Sequence, residues 1–315
     1  MQRVKYQQRD NPASEGRLTE LFRVLTGSTV ASGVVLGIGD DCAIVRPRGS
    51  PDDLLLTSDL LIENVHFRLS THRPEDIGWK ALARGLSDIA SMGGQPRWCL
   101  LSLAVKTGCG ERWIDAFYRG FLELARRERT ALVGGDLARA DKIVCDIMVC
   151  GAAPRGKALR RDGAHTGDVI YVSGLLGGSA LGLSKGATRT ARRRHLRPEP
   201  RLSLGRFLRQ RATAAMDLSD GLSLDLHRLA LASGLAAEIT APPQFPGATR
   251  DQALNGGEDY ELLFTAPLSR RLPAEFEGVP ITRIGMMRKG RAGAVTLDGA
   301  PLDPLGYDHF RNICC

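Results

Sequence analysis

The sequence lacks the long apolar run that a membrane-spanning helix requires. A span needs about 18 to 20 unbroken apolar residues, and the 315-residue chain contains no such run. Its first residues, MQRVKYQQRDNP, also lack the apolar segment of a secretory signal. We therefore expect a cytoplasmic protein with no membrane partner, which begins with a flexible arm over residues 1–12.

Cysteine is scarce, and its spacing excludes two common kinds of site. The seven cysteines show no paired C-x-x-C spacing, so neither a zinc site nor a disulfide framework is indicated. Four stand in apolar segments and are predicted to be small core residues: Cys42, Cys99, Cys145 and Cys150. The adjacent Cys314 and Cys315 are expected to form an exposed tail without a role.

Two nucleotide-binding motifs are missing as well. The chain has no G-x-x-x-x-G-K-[ST], and no G-x-G-x-x-G that opens a βαβ unit. If the protein handles a nucleotide, metal ions and loops must hold it in place of a Walker lysine.

The chain has a formal net charge of +8, which suggests an anionic partner. Many of the basic residues lie in segment 189–211, where arginine is frequent and acid is almost absent. Nucleic-acid binding is one interpretation, but no recognisable reading motif stands beside the segment. We favour a solvated arginine-rich connection and helix.

Both halves of the chain alternate strand-like and helix-like segments. In the first half the patterns predict helices over 14–25, 73–94 and 111–128, and strands over 53–61, 98–105 and 142–153. The strands 98–105 and 142–153 are continuously apolar, which is typical of strands buried on both faces. In the second half the patterns predict strands over 169–174 and 258–266, a strand leading into MDLSDG, and a helix through Leu231.

Segment 153–168 mixes proline, glycine and charge without periodicity. Such composition is typical of a connection between domains. We predict a boundary just before it, which divides the chain into domains 1–152 and 153–315.

Six short stretches place carboxylates beside glycine, serine or threonine near the end of an apolar segment. They are GIGDD (37–41), TSD (57–59), LSDIASMGG (86–94), VGGD (133–136), MDLSDG (216–221) and NGGEDYEL (255–262). Any one of them is ordinary turn or cap chemistry. Together they predict a site for Mg²⁺, which prefers oxygen ligands and keeps waters and substrate phosphates. Unpaired charge is costly beside apolar sequence, so the strongest candidates are Asp59, Asp88, Asp136 and Asp217.

The order of these motifs resembles that of the thiamine-monophosphate kinases, which belong to the aminoimidazole ribonucleotide synthetase-like superfamily. The resemblance runs from about Leu36 to Phe310. It is carried by GIGDDCAIV, TSDLLIENVHF, LSDIASMGGQP, LVGGD, MDLSDGLSLDL, GGEDYELLF and GYDHF. The acidic loops are shared by the superfamily, whereas GGEDYEL together with GYDHF points to the kinase.

The resemblance implies an α/β (α+β) fold of two domains, with N-terminal strands that form a barrel in a homodimer. It also implies that ATP phosphorylates thiamine monophosphate directly, with several Mg²⁺ ions, to give thiamine diphosphate. A phosphate monoester is already mostly ionised near pH 7, because its second pKa is about 6. No general base is therefore required, and catalysis would depend on positioning and on the spreading of charge.

The resemblance assigns roles to particular positions. Those implied to coordinate Mg²⁺ are Asp41, Thr57, Ser58, Asp59, Asp88, Asp136, Asp217 and Asp220. Those implied to bind the nucleotide are Gly135, Asp136, Arg161 and Ser219. Those implied to hold thiamine monophosphate are His66, Glu258 and Tyr307. Asp40, beside Asp41, is expected to hold the turn or to orient a water.

Two residues depart from the family pattern. Leu137 stands where the family usually has threonine, which removes one hydroxyl near the metals. Asn64 replaces a customary glycine, a change that can alter the turn that aims His66.

Two other functions stay open at this point. The hydrogenase-maturation dehydratases share the acidic loops and work through a terminal cysteine, and this chain ends RNICC. That family ends Pro-Arg-Ile-Cys, however, whereas this chain lacks the proline, has an extra cysteine and retains GYDHF. A nucleic-acid-binding protein on an inactive scaffold would show steeply salt-dependent binding and indifference to loss of Asp88 or Asp136.

Overall fold

A computed structural model describes residues 14–26, 32–240 and 242–310. Apolar segments of the first half form six strands: β1 (Val34–Leu36), β2 (Ala43–Val45), β3 (Asp52–Ile62), β4 (Gln95–Val105), β5 (Ala131–Arg139) and β6 (Val144–Pro154). They form one sheet in the order β1-β2-β3-β6-β4-β5. Strand β6 pairs antiparallel with β3 and β4, and β4 pairs parallel with the edge strand β5.

Three helices accompany this sheet: α1 (Glu15–Thr26), α2 (Pro74–Ser91) and α3 (Glu111–Arg127). Helix α2 starts with proline at its first turn, where a missing N–H costs nothing, and with acidic Glu75 and Asp76 beside the positive end of the helix dipole. Gly78 lets α2 and α3 pack closely, because a Cβ there would lie 2.0 Å from the Phe117 carbonyl oxygen. Helix α2 thereby covers one face of the sheet.

The second half forms a separate sheet. Its strands are β7 (Val169–Ser173), β8 (Ala214–Asp217), β9 (Ala236–Ile239), β10 (Leu262–Ala266), β11 (Glu275–Phe276), β12 (Val279–Arg288), β13 (Val295–Leu297) and β14 (Ala300–Pro301). The sheet order is β14-β13-β9-β12-β7-β10-β8, with β11 paired to β12. Its helices are α4 (Gly178–Gly182), α5 (Arg189–Leu196), α6 (Leu202–Leu208), α7 (Leu222–Ala232) and α8 (Arg250–Asn255). The expected mixed α/β class is confirmed.

The two sheets flank segment 155–168, which contains a short 3-10 turn at Arg161–Gly163. The predicted boundary between 152 and 153 lies within the last residues of β6. A continuous apolar core joins the halves, since Leu204 and Leu208 of α6 are buried in the same cluster as Leu82 and Ile89 of α2. Helix α2 therefore stands between the N-terminal sheet and the second half.

Within a single chain, strands 98–105 and 142–153 are buried on one face only for most of their length, so the chain alone does not provide the predicted burial on both faces. Burial alternates along β4, and along β6 from Val144 to Val149. The helices cover one face only. On the other face, within the part of the chain that the structure describes, the large apolar side chains of Leu60 and Trp98 are left exposed. We call this surface the outer face of the N-terminal sheet.

The prediction of a strand over 258–266 is correct only from Leu262 onward. The preceding residues form a loop in which Glu258 and Tyr260 take left-handed backbone conformations, with φ of 66° and 50°. The Asp259 carboxylate accepts hydrogen bonds from the N–H groups of Gly177 and Ser179, at 2.5 and 2.9 Å. This contact with the start of α4 holds the loop away from the extended strand.

The arginine-rich segment is not a solvated connection, contrary to the favoured interpretation. Arg194 and Arg201 both bind the buried Glu261 carboxylate. Arg197 pairs with Asp76 at 2.7 Å. Acidic residues that are distant in sequence thus neutralise much of the segment, although residues 189, 192 and 193 are exposed. The segment mainly ties α5 and α6 to the rest of the fold.

The core assignment of the four internal cysteines is confirmed, because Cys42, Cys99, Cys145 and Cys150 are all buried. The predicted N-terminal arm and the cysteine pair at 314–315 lie outside the described residues. Among the described helices, none has the length and apolar character needed to cross a membrane.

Candidate functional site

Three carboxylates from distant parts of the chain meet at one point. Asp41 lies in the turn between β1 and β2, Asp88 in the last turns of α2, and Asp217 at the end of β8. Each offers an oxygen atom, and these atoms all lie within 4.8 Å of one another. We call this group the acidic cluster. It uses side chains from both halves, so it exists only when α2 packs against β8.

Burial and mutual repulsion disfavour the charged forms in this cluster. Burial, with Asp59 as the next cause, raises the pKa of Asp88 well above its ordinary value. Burial followed by Asp41 does the same to the pKa of Asp217. Neutral hydroxyls relieve the repulsion only partly: Ser87 donates to Asp217 and Ser91 to Asp41, both at 2.6 Å. Thr57 donates to Asp88. The cluster is therefore suited to a cation.

Arg161 lies against the adjacent carboxylates Asp40 and Asp41. Its guanidinium binds the Asp41 carboxylate, and its backbone N–H donates to Asp40 at 3.0 Å. Burial, together with Asp41, raises the pKa of Asp40 to about 7. The other Asp40 oxygen accepts the Asp41 N–H at 2.9 Å. Asp40 therefore holds the turn, which was one of its two expected roles.

Two cavities border the acidic cluster. The first, of about 270 Å³, we call the His66 cavity; Asp59, His66, Asp88, Asp217, Glu258 and Tyr307 are among its lining residues. The second, of about 710 Å³, we call the Arg161 cavity; Gly37, Asp41, Thr57, Ser58, Arg161 and Arg228 are among its lining residues. Ser219 and Asp220 line both. Two different ligands could therefore meet at the cluster from opposite sides.

The His66 cavity presents buried polar atoms without protein partners. The Nδ1 atom of His66 accepts the Ile62 N–H at 3.0 Å, which places the ring proton on the buried, unpartnered Nε2. The Oε2 atom of Glu258 accepts from Lys80 at 2.9 Å, whereas Oε1 is buried with no partner among the described residues. Tyr307, 48% exposed, stands at the rim. A free donor and a free acceptor thus line one cavity.

Burial and three neighbouring basic side chains set the charge in this cavity. Burial lowers the pKa of His66 to about 3, so its imidazole is neutral. Burial acts to raise the pKa of Glu258, but Lys80, His195 and Arg84 together lower it to about 2. Arg84 also pairs with Asp59 at 3.2 Å. The cavity therefore holds an ionised carboxylate beside a neutral imidazole.

Three of the residues assigned from the sequence lie apart from this group within one chain. Ser58 lines the Arg161 cavity, but its hydroxyl donates to Asp146 at 2.8 Å, because successive strand residues point to opposite faces. Gly135 and Asp136 lie on the exposed strand β5, which β4 and β6 separate from β3. Asp136 accepts the N–H of Leu137 at 2.9 Å.

The two departures from the family pattern have different surroundings. Asn64 adopts φ of 66°, a left-handed conformation that asparagine tolerates better than most residues. Its N–H donates to the Phe67 carbonyl at 2.7 Å, so the turn before His66 forms. Leu137 is 61% exposed on the edge strand β5, where it pairs in register with Leu103 and so points to the face opposite to that of Asp136.

Several site residues were missed by the sequence reasoning, notably Lys80 and Arg84. The signal was present, since Lys80, Arg84 and Asp88 are spaced by four along α2. Residues at this spacing share one face of a helix, and this face of α2 points at the His66 cavity. Tyr260, which also lines the cavity, lay in a segment that was assigned to a strand.

Comparison with known proteins relates the whole chain to one family. Residues 39–153 match the family model "AIR synthase related protein, N-terminal domain". The thiamine-monophosphate kinase of Bacillus subtilis is 37% identical, over 93% of this chain and 99% of its own length. The solved structure of AaThiL complexed with AMPPCP and TMP is 33% identical, with a TM-score of 0.86, and covers 97% of this chain and 100% of its own. The solved structure of thiamine-monophosphate kinase from Stenotrophomonas maltophilia is 40% identical, with a TM-score of 0.75. The match covers 90% of this chain and 96% of the other.

The hydrogenase maturation protein HypE in complex with ATP shares the fold. It covers 96% of this chain with a TM-score of 0.67, but it is only 19% identical. This likeness extends to the fold alone and gives no support to the dehydratase alternative.

Proposed function

This chain belongs to the thiamine-monophosphate kinase family, and we propose that it transfers the γ-phosphoryl group of ATP directly to the phosphate of thiamine monophosphate. The observation that carries this proposal is the acidic cluster between two cavities. One cavity offers unpartnered atoms suited to a heterocycle, and the other contains Arg161. The related AaThiL structure contains AMPPCP, an ATP analogue, together with TMP, which supports two ligands in one enzyme.

We propose Mg²⁺ as the cofactor, because the donor set fits a hard cation. The carboxylate oxygens of Asp41, Asp88 and Asp217 converge. The described side chains around them do not fully neutralise the repulsion among these carboxylates. Further ligands would come from Thr57, Ser58, Asp59, Asp136 and Asp220. When bound, Mg²⁺ supplies charge neutralisation for the carboxylates and for the phosphates during transfer.

The His66 cavity is proposed to hold thiamine monophosphate. An aminopyrimidine carries an N–H donor next to a ring-nitrogen acceptor. The unpartnered Oε1 of Glu258 would accept from the amino group, and the Nε2–H of His66 would donate to the ring nitrogen. Tyr307, at the rim, would pack on the heterocycle. The substrate phosphate would then extend toward Asp88 and Asp217.

The Arg161 cavity is proposed to hold the ATP phosphates. The Arg161 guanidinium would neutralise part of the phosphate charge, and Ser219 would line the boundary where the two substrates meet. Since the acceptor is already ionised near pH 7, the residues of this chain need only position two repelling anions. No histidine is required as a base, which agrees with the neutral His66.

We further propose a homodimer that buries the outer face of the N-terminal sheet. The exposed apolar side chains of Leu60 and Trp98 on that face support it. Asp136 points to the same face, because it pairs in register with Ser102, which in turn pairs with Asp146. In a dimer closed through this face, Gly135 and Asp136 would approach the acidic cluster of the partner subunit. We also propose that the chain divides into domains 1–152 and 153–315, of which the first forms the dimer.

We place the enzyme in the cytoplasm. The five described cysteines are free thiols, which is usual in a reducing compartment, and ATP is the proposed co-substrate.

The purified protein, given ATP, thiamine monophosphate and Mg²⁺, is expected to form thiamine diphosphate and ADP in equal amounts. Chromatography of both products measures this, and activity should disappear when a chelator removes Mg²⁺. A variant with both terminal cysteines, Cys314 and Cys315, changed to alanine should keep full activity. Formation of ADP with free phosphate but no thiamine diphosphate, or turnover of carbamoyl phosphate instead, would contradict the proposal.

In the metal-free protein, the contribution of the protonated carboxyl groups to stability should fall as pH rises from about 4 to about 7, whereas the buried neutral histidines contribute the opposite slope below about pH 6.5. Asp40 illustrates the sign: its pKa rises from an ordinary 3.8 to about 7 on folding. The folded state therefore holds a proton that the unfolded state has lost, and this stabilisation disappears above pH 7. Mg²⁺ binds the ionised carboxylates, so it should raise the melting temperature by several degrees at about pH 8 and much less at about pH 5.

Thermal melts in chelator and in Mg²⁺ at both pH values measure this effect. Asp40→Asn should flatten the pH dependence in chelator, because it removes one titrating group. A pH dependence in chelator that Asp40→Asn leaves unchanged, together with a melting temperature that does not respond to Mg²⁺, would contradict the electrostatic account of the cluster.

A further inference from the structure

Lys80 is a fully buried lysine in the middle of α2. Its side chain has 0% exposure, although lysine is almost never completely buried without a partner. Its Nζ atom lies 2.9 Å from Oε2 of Glu258 and 3.5 Å from the carbonyl oxygen of His66. The ammonium therefore contacts the two residues proposed to recognise the substrate heterocycle.

Glu258 is held in an unusual geometry. Its backbone has φ of 66°, and its N–H donates to the Ser219 carbonyl at 2.7 Å. One carboxylate oxygen is engaged by Lys80, while the other is buried without a partner. A buried acceptor left free is costly unless a ligand supplies the donor. The contact with Lys80 thus decides which oxygen stays available.

The other groups around Glu258 do not replace Lys80. Arg84, also on α2, pairs with Asp59 at 3.2 Å. His195 of α5 lies 3.4 Å from Oε2 but shares its Nδ1 with the Ser179 hydroxyl at 2.9 Å. Other titratable and charged groups line the cavities beside Glu258: His66, Arg68 and His72 from the segment after β3, Arg192 of α5, and Tyr260, Tyr307 and His309.

Three of the imidazoles among these neighbours carry no positive charge. Burial lowers the pKa of His195 and His66 to about 3 and that of His72 to about 4, so all three imidazoles are neutral. Lys80 is therefore the cationic side chain in direct contact with the carboxylate, and Glu258 opposes the lowering of the Lys80 pKa by burial.

We propose that Lys80 is a positioning residue that keeps Glu258 ionised and binds its Oε2, so that Oε1 stays free to accept the amino group of the aminopyrimidine. The proposal rests on the proposed function, since it specifies how that same site recognises its acceptor. Lys80 does not touch the reacting phosphates, so its effect falls on acceptor affinity and not on the transfer step.

The test compares Lys80→Met with Lys80→Met/Glu258→Gln. In Lys80→Met the KM for thiamine monophosphate should rise about 10- to 100-fold, the scale of one hydrogen bond to a charged group. The kcat at saturation and the affinity for AMPPCP should change little. The rise in KM should shrink toward high pH, because burial raises the pKa of the unpaired Glu258 and only its ionised form accepts well.

The double variant separates positioning from stability. It buries no unpaired charge, so its melting temperature should recover toward that of the wild type, while its KM stays high and becomes independent of pH. Arg46→Met is the matched control, because it deprives the buried Asp53 carboxylate of its cation away from the described cavities. This control should lose stability and keep the wild-type KM.

Wild-type KM in Lys80→Met at every pH, with only a lower melting temperature, would overturn the proposal. If Lys80→Met does not fold, wild-type KM in the double variant would overturn it as well. Absence of thiamine monophosphate binding to the wild type would instead refute the proposed function, so the two failures are distinguishable.

Discussion

Asp88→Asn is expected to reduce the formation of thiamine diphosphate by about 10³-fold or more, the scale on which removal of a preorganised electrostatic group acts. Asp88 contributes an oxygen to the acidic cluster and also lines the His66 cavity. Loss of its charge weakens the proposed binding of Mg²⁺ at the place where the phosphate groups of the two substrates would meet. The measurement is the steady-state rate at saturating ATP and thiamine monophosphate.

The same variant should stay folded and, without metal, become more stable. Burial and neighbouring carboxylates raise the pKa of Asp88, so the ionised side chain opposes folding and a neutral amide removes that cost. Asp115→Asn, at an exposed position on α3, is the control and should leave both rate and melting temperature unchanged. Near wild-type turnover in Asp88→Asn would show that the acidic cluster is not the catalytic site.

Asp136→Asn is expected to lower turnover by about 10²-fold or more, although Asp136 is distant from the acidic cluster of its own chain. The proposed dimer would place Asp136 of the partner subunit near that cluster. A heterodimer of one Asp88→Asn chain and one Asp136→Asn chain should therefore recover activity. One of its two sites contains both intact residues, while the other site carries both substitutions.

Two affinity tags on co-expressed chains allow this heterodimer to be isolated and assayed. About half of the wild-type rate per dimer is expected, since one site in two is intact. Homodimers of each variant, purified in the same way, are the controls and should be nearly inactive. A heterodimer no more active than these controls would refute the shared site. A monomeric wild type in solution would refute the dimer itself.

Much of the secondary structure could be predicted from the sequence, because local periodicity determines it. Helix α2 was expected over 73–94 and runs from Pro74 to Ser91. The burial of Cys99 and Cys145 followed from their apolar surroundings. The loop at Glu258–Glu261 could not be foreseen, since it depends on the Asp259 contact with α4, and GGEDYELLF reads equally well as a strand.

The candidate site was predictable in its residue types and less so in its arrangement. Acidic turns at the ends of apolar segments indicated carboxylates that need a cation, and Asp41, Asp88 and Asp217 do converge. The motif TSD did not reveal that Ser58 and Asp59 point to opposite faces of β3. Residues that are adjacent in a motif point to opposite faces when the motif lies on a strand, and the motif alone does not show this.

The sequence by itself determined most helices and strands, the family resemblance and the chemical character of the site. Each of these depends on residues that are close together in the chain. Tertiary structure alone decided which carboxylates meet, that Lys80 is buried against Glu258, and that the arginines of 189–211 bind acids elsewhere. Such contacts join residues far apart in sequence, and they form only when α2 is packed between the two halves. Long-range packing has no local signature, so the partners of a buried charge are known only from the folded chain.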